Sequence, residues 1–367
     1  MTKNINTQES RTRLPELDFF RTIATLLVFA AHFYVVIGEM KRSTGSSFLD
    51  RVILNGSVGV DLFFVLSGFL LPFTIYTAKL KGTYSLTKYL KSRLTRIIPA
   101  YYFSLLIIIL ITPAFLITQH GIGNIITHFL FIHHFFPSYH ASLSGVAWTL
   151  SVEMQFYLIL PAIYAISFGS WRRITIMLSC TLLISWAWRY FMFQSELADI
   201  YGHIYIYDQI VGRIDQFGIG IFTSYLFSHH RQTLERLPVA LMTAIALLSC
   251  ALYVVWLQYY TTHTPSLYSI IFSHTQLAAI FGCAMLSSLF MANILRRIIT
   301  LAPIRYIALI SYGFYLWHLV VMYQLKTISI AIEYQLILTA ILTLIFASIS
   351  YYLIEHPFLR RPQSSDK

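Results

Sequence analysis

A chain of 367 residues with 57% hydrophobic and only 11% charged residues, and a mean hydropathy of +0.66, excludes a string of water-soluble domains. It points to an all-α polytopic membrane protein, a single bundle of about ten transmembrane helices. The net charge of +11 sits in Lys and Arg between the apolar runs, which argues for membrane topology and against a nucleic-acid surface.

Residues 1–17 read as a polar tail, 18–356 as the membrane domain and 357–367 as a second tail. The first span, near 18–38, carries Asp18 and Arg21, unlike the uninterrupted core of a cleaved signal peptide, and reads as a retained helix. Arg21 and His32 are eleven residues apart, about 20° past three full turns and about 16 Å in height, so they share a face. That separation suits a long ligand with an anionic head and a reactive far end, a shape that acyl-CoA has. The plainer reading pairs Arg21 with Asp18 one turn away and lets His32 bond a neighbouring helix.

The second span, near 56–78, carries Asp61 as a candidate substrate-binding residue, while Gly59, Ser67 and Gly68 read as small residues for close helix approach. Residues 79–97 hold Lys79, Lys81, Lys88, Lys91, Arg93 and Arg96. Topology and attraction to anionic lipid account for such a run. Arg93 and Arg96 in addition lie at i,i+3, where two guanidinium forks can grip phosphates.

A third span, near 98–118, leads to the longest loop, near 119–145, whose His and Phe residues suit an interfacial or re-entrant helix at the outer surface. Its histidines, His120, His128, His133, His134 and His140, lack clean i,i+4 pairs and nearby carboxylates in sequence, so no metal site is expected. Glu153 lies in the fourth span, near 146–168, and Arg189 near the outer end of the fifth, near 174–193, where it reads as a snorkelling anchor. His203 and Asp208 match an HxxxxD acyltransferase spacing, but in a short loop, where it reads as coincidence.

The sixth span, near 210–228, holds Arg213 and Asp215; two residues on a helix are about 200° apart, so each must find its partner elsewhere, inside the bundle. Spans near 238–257, 268–293 (with His274), 303–325 (with His318) and 335–356 complete the chain, and Glu355 falls at the last membrane edge, placed for a salt bridge to one of the arginines. Cys180, Cys250 and Cys283 all fall in apolar runs without CxxC spacing, so neither a disulfide framework nor a zinc knuckle is expected.

Counting about 1.5 Å per residue puts His32, His318 and Glu153 at comparable depths, about 21–23 Å from the inner edge, where an imidazole and a carboxylate could work together on a hydroxyl proton. For His318 the plainer reading, a satisfied interhelical polar residue, comes first, whereas for Glu153 the functional one does. With the N-terminus inside, nineteen of the 26 Lys and Arg residues fall on the cytoplasmic side and four outside, so both termini are expected to be cytoplasmic. No GxSxG elbow, HExxH motif or phosphate-binding glycine loop is present.

Taken in order, LDFFRTIATLLVFAAHF, GVDLFFVLSGFL, RLTRIIPAYY, AWTLSVEMQFYLILP, RIDQFGIG, ISYGFYLWH and YYLIEHPF resemble the integral-membrane acyltransferase 3 family, over about residues 15–358. The resemblance implies a ten-helix core in the bacterial plasma (inner) membrane that O-acylates a surface glycan or lipid-linked glycan precursor. The implied donor is a cytoplasmic acyl-CoA, acetyl-CoA by preference, as co-substrate and with no bound cofactor. Arg21 and His32 fall on the family's Arg-x10-His motif, and Arg93 and Arg96 on its basic motif. Many relatives carry a further esterase-like domain; this chain ends soon after YYLIEHPF, so a later transfer step is expected within the bundle or on another protein.

The expected catalytic residues are His32 and Glu153, and the expected substrate-binding residues Arg21, Asp61, Arg93, Arg96, Arg213 and His318. Membrane lipid and glycan-assembly proteins are the expected partners beyond donor and acceptor. A secondary transporter or flippase, with the buried charges as a proton or substrate path, is the competing class.

Overall fold

A computed structural model describes residues 14–37, 47–111, 121–195, 206–262 and 266–359. Among these residues the chain forms helices and no strand. This suits a hydrocarbon solvent, in which a helix satisfies its own backbone groups. The long helices are α1 (Pro15–Val36), α2 (Val58–Leu80), α3 (Leu86–Ile111), α4 (Ala147–Ser167), α5 (Trp171–Phe193), α6 (Ile210–His229), α7 (Val239–Thr262), α8 (Leu267–Ser288), α9 (Ala302–Leu325) and α10 (Ile332–Ser350). Among the described residues nine are apolar and long enough to cross a membrane by composition alone. The tenth is α6, 20 residues long, whose Arg213 and Asp215 dilute its hydropathy. Ten crossings bring the start of α1 and the end of α10 to one face of the bundle, termed the near face; the opposite one is the far face.

Apolar residues all round a helix mark it for the interior. In α2, 72% of the spanning window is buried, against 17% in α5 and in α7. α2 packs against α6 through glycine: a Cβ on Gly68 would lie 2.5 Å from the Phe217 carbonyl oxygen, and one on Gly220 only 2.4 Å from that of Val65. Backbone-to-backbone contact of this kind is how helices associate where lipid is as apolar as leucine. α1 packs along α9 on one side and α2 on the other, so Arg21 and His32 look into the bundle.

Two expectations are corrected, the start of the third helix and the place of Arg189, and one is refined. The third helix begins at Leu86, not near 98, because hydropathy marks the apolar run while the basic segment before it continues the same helix; Arg93 and Arg96 are therefore fixed on α3. The segment after α3 does form a helix, as the sequence suggested, with Ile122, Ile126 and Leu130 exposed and its histidines turned inward. The helix covers Gly121–Phe129, a turn of 3-10 helix follows at His133–Phe135, and His128, His133, His134 and His140 are 0–5% exposed. Residues 112–120, including His120, lie outside the described residues. Finally, Arg189 does not snorkel: its side chain is fully buried and pairs with Asp215 at 2.8 Å, while its guanidinium also donates to the carbonyls of Gly212 and Ile271. Its place near the end of α5 said nothing of which way the helix turns it.

Candidate active site

Two cavities share a neck of guanidinium groups. The inner one, about 160 Å³, lies among α1, α2, α3, α4 and α9 and is bordered by Arg21, Arg93, Arg96, Ser67, Glu153 and Tyr315. The outer one, about 410 Å³, opens at the near face and is bordered by Asp18, Arg21, Ser92, Arg93 and Arg96. Arg21 also pairs with Asp18 at 3.3 Å, as the i,i+3 spacing predicted, yet remains on the wall of both cavities. α1 and the basic extension of α3 thus bring Arg21 together with Arg93 and Arg96, which lie far from it in sequence.

Glu153 belongs to this cluster. Its Oε1 accepts a hydrogen bond from Ser67 Oγ at 2.5 Å, and Tyr157, one turn along α4, borders the same cavity. Neither His32 nor His318 borders the inner cavity, so the three-way meeting expected from depth does not form. The physical reason is the buried segment above α4. Val146 and Ala147 are 1% and 0% exposed, so α4 starts beneath other protein rather than at the membrane surface, and counting down from the surface places Glu153 too high.

The two histidines do meet. His32 Nδ1 lies 3.0 Å from His318 Nε2, in the far half of the bundle, where α1 packs on α9. Tyr315, one turn before His318, separates this pair from the inner cavity: its hydroxyl bonds Thr149 Oγ1 of α4 at 2.8 Å, and its ring borders the cavity. A ligand reaching from the arginines up the α1 face therefore meets Ser67, Glu153 and Tyr315 before it meets His32.

Asp61 and Arg213 lie apart from the arginine neck and pair with each other at 2.9 Å, with side chains 2% and 7% exposed. Asp61 also bonds Gln216 Nε2 and His274 Nδ1, both at 2.6 Å, while Arg213 Nε donates to the Tyr207 carbonyl at 2.7 Å and lies over the ring of Trp148. His140 meets Asp208 at 3.0 Å. These contacts join α2, α6 and α8, as the offset of Arg213 from Asp215 required. His203, the other half of the HxxxxD spacing, lies outside the described residues. Glu355 sits in a π-helical turn, Tyr351–Glu355, beyond α10. It is 1% exposed and faces Arg96 without a hydrogen bond to it, so the expected salt bridge is not formed. No group of three or more His, Cys, Asp or Glu residues suited to a metal occurs among the described residues.

The profile of the family described as "Acyltransferase domain", acyltransferase 3, matches residues 14–355. Peptidoglycan O-acetyltransferase OatA of Listeria monocytogenes is 25% identical over 96% of this chain and 56% of its own. Putative peptidoglycan O-acetyltransferase YrhL of Bacillus subtilis is 27% identical over 94% of this chain and 54% of its own. Acyltransferase MdmB of Streptomyces mycarofaciens is 30% identical over 41% of this chain and 39% of its own. The chain thus spans a little over half the length of the first two relatives. No solved structure matches it.

Proposed function

Because the chain belongs to the acyltransferase domain family, we propose that it is a multi-pass O-acetyltransferase of the bacterial plasma membrane. On this reading it moves an acetyl group from acetyl-CoA to a hydroxyl of a surface glycan or its lipid-linked precursor. The observation that carries the reading is the cleft open at the near face with Arg21, Arg93 and Arg96 at its neck, with Arg21 on the same face of α1 as His32 about 16 Å further on.

The arginines hold the phosphates of the donor, because paired guanidinium groups grip a polyanion in a low-dielectric cleft. Glu153 supplies the counter-charge that keeps them together when no anion is bound. The pantetheine arm runs along α1 past Tyr315, and the thioester reaches His32. His32 takes the proton of the acceptor hydroxyl as its oxygen attacks the thioester carbon; the C–S bond breaks and the thiolate leaves with the proton returned by the imidazole. Asp61 and Arg213 serve the acceptor side indirectly, by holding α2, α6 and α8 in register. The excess of Lys and Arg in the near-face segments supports a cytoplasmic near face with both termini inside. Peptidoglycan, named for two relatives, is the first acceptor to test.

Membranes containing the protein, incubated with acetyl-labelled acetyl-CoA and glycan, should carry the label on the glycan as an alkali-labile ester. A transporter would instead move intact substrate and leave the glycan unlabelled, which would refute the reading.

A further inference from the structure

The two nitrogens of each ring in the histidine pair are not equivalent, and the backbone around the pair decides which of them carries a proton. His318 Nδ1 faces the carbonyl oxygens of Tyr315 at 2.7 Å and Phe314 at 3.3 Å. A carbonyl can only accept, so Nδ1 is the protonated nitrogen of His318. The residue is 1% exposed, and its ring packs among those of Phe29, Tyr315 and His32. An imidazole in such surroundings is neutral, because a charge there would go uncompensated, and its Nε2 keeps a lone pair.

That lone pair points at His32 Nδ1, 3.0 Å away. Two lone pairs facing one another at this distance would repel, so His32 Nδ1 is the donor. The proton of neutral His32 therefore sits on Nδ1, and its other nitrogen, Nε2, is bare. His32 is only partly buried, unlike its partner.

We propose that His318 is a positioning residue that holds His32 as the Nδ1–H tautomer, so that Nε2 presents the lone pair used in acyl transfer. The proposal rests on the reading of His32 as the transfer base and says which of its atoms does the work. When Nε2 takes the proton of the acceptor hydroxyl, His32 becomes an imidazolium whose Nδ1–H still donates to His318 Nε2, and that bond strengthens as the charge develops. When Nε2 returns the proton to the departing thiolate, both rings are as they began. His318 thus acts through His32 and exchanges no proton with either substrate.

Two variants separate positioning from packing. His318→Gln keeps an oxygen that accepts from His32 Nδ1 and an amide N–H that donates to the Tyr315 carbonyl, whereas His318→Leu fills similar space and offers neither. His318→Leu should lower kcat by about 10²-fold or more with the donor KM within about twofold, and His318→Gln should recover kcat to within about tenfold of wild type. Wild-type kcat in His318→Leu, or equal loss in both variants at equal membrane abundance, would overturn the proposal. A second measurement does not depend on turnover. In protein labelled with ¹⁵N-histidine, His32, assigned by its loss in His32→Asn, should show a protonated Nδ1 and a bare Nε2 at neutral pH, and His318→Leu should shift that distribution. A protonated Nε2 in the wild type, or an unaltered distribution in His318→Leu, contradicts the proposal even if the wild type transfers no acyl group, a result that would count against the proposed function alone.

Discussion

Arg93 and Arg96 would serve membrane topology wherever they stood on the near face, but the structure sets them on the wall of both cavities with Arg21, and this separates them from the other basic residues. Lys79, on the same face of the membrane by sequence, instead stacks on the rings of Tyr84 and Tyr164. Arg93→Ala and Arg96→Ala should therefore raise the donor KM by about tenfold or more, and Lys79→Ala should leave it near wild type. Titration of initial rates against acetyl-CoA checks this; equal effects at all three positions would leave only topology. Arg21→Ala should weaken donor binding and recover activity at high donor concentration, whereas His32→Ala should bind donor and fail to transfer. The shared face of Arg21 and His32 was legible in the sequence because both lie on one helix, where spacing fixes angle. So were Tyr157 beside Glu153 and Tyr315 beside His318, one turn away in each case, although the sequence reading passed over both. Ser67 was not legible as a partner of Glu153, since a contact between two helices depends on their rotation and depth.

At the scale of helices, the bundle is tied by two buried ion pairs from opposite sides of one turn of α6: Asp215 with Arg189 on α5, and Arg213 with Asp61 on α2. The sequence foretold that Arg213 and Asp215 look in different directions, and could not say at what. Removing one member of a fully buried pair strands its partner, at a cost of about 3–5 kcal/mol. Arg189→Met should accordingly lower the melting temperature in detergent, and Arg189→Met combined with Asp215→Leu should restore part of it. A double variant no better than the single one would show that the arginine acts through its carbonyl contacts instead.

The buried histidine segment adds a pH dependence at the far face. Burial holds His128 and His134 down at about 4, and burial together with neighbouring histidines takes His133 lower still. These groups bind protons more readily unfolded, at about 6.5, so stability is full above that pH and falls progressively as the pH drops from about 6.5 towards 4. Thermal melts across this range should show the slope, and His133→Phe should flatten it. The sequence left an interfacial and a re-entrant helix open here, because aromatic residues mark an interface as well as an interior.

For the whole molecule, composition was enough for the architecture: length, hydropathy and turn spacing mark ten crossings, with the start of α3 and the ends of α8 and α10 the least well placed. Sidedness is the remaining global expectation. In a variant with Cys180, Cys250 and Cys283 replaced by serine, a cysteine at Ser138 should react with an impermeant thiol reagent applied outside the cell, and one at Ser85 should not. Labelling at Ser85 would reverse the orientation and the donor side with it. In the proposed reaction an acyl group enters at the arginine face and leaves on a glycan hydroxyl by way of His32. Proteoliposomes given acetyl-labelled acetyl-CoA only at the arginine face, with glycan acceptor only at the opposite face, test that claim most directly. Wild-type protein should form labelled glycan ester while His32→Ala, equally inserted, forms none; ester formed by His32→Ala at the wild-type rate would contradict it.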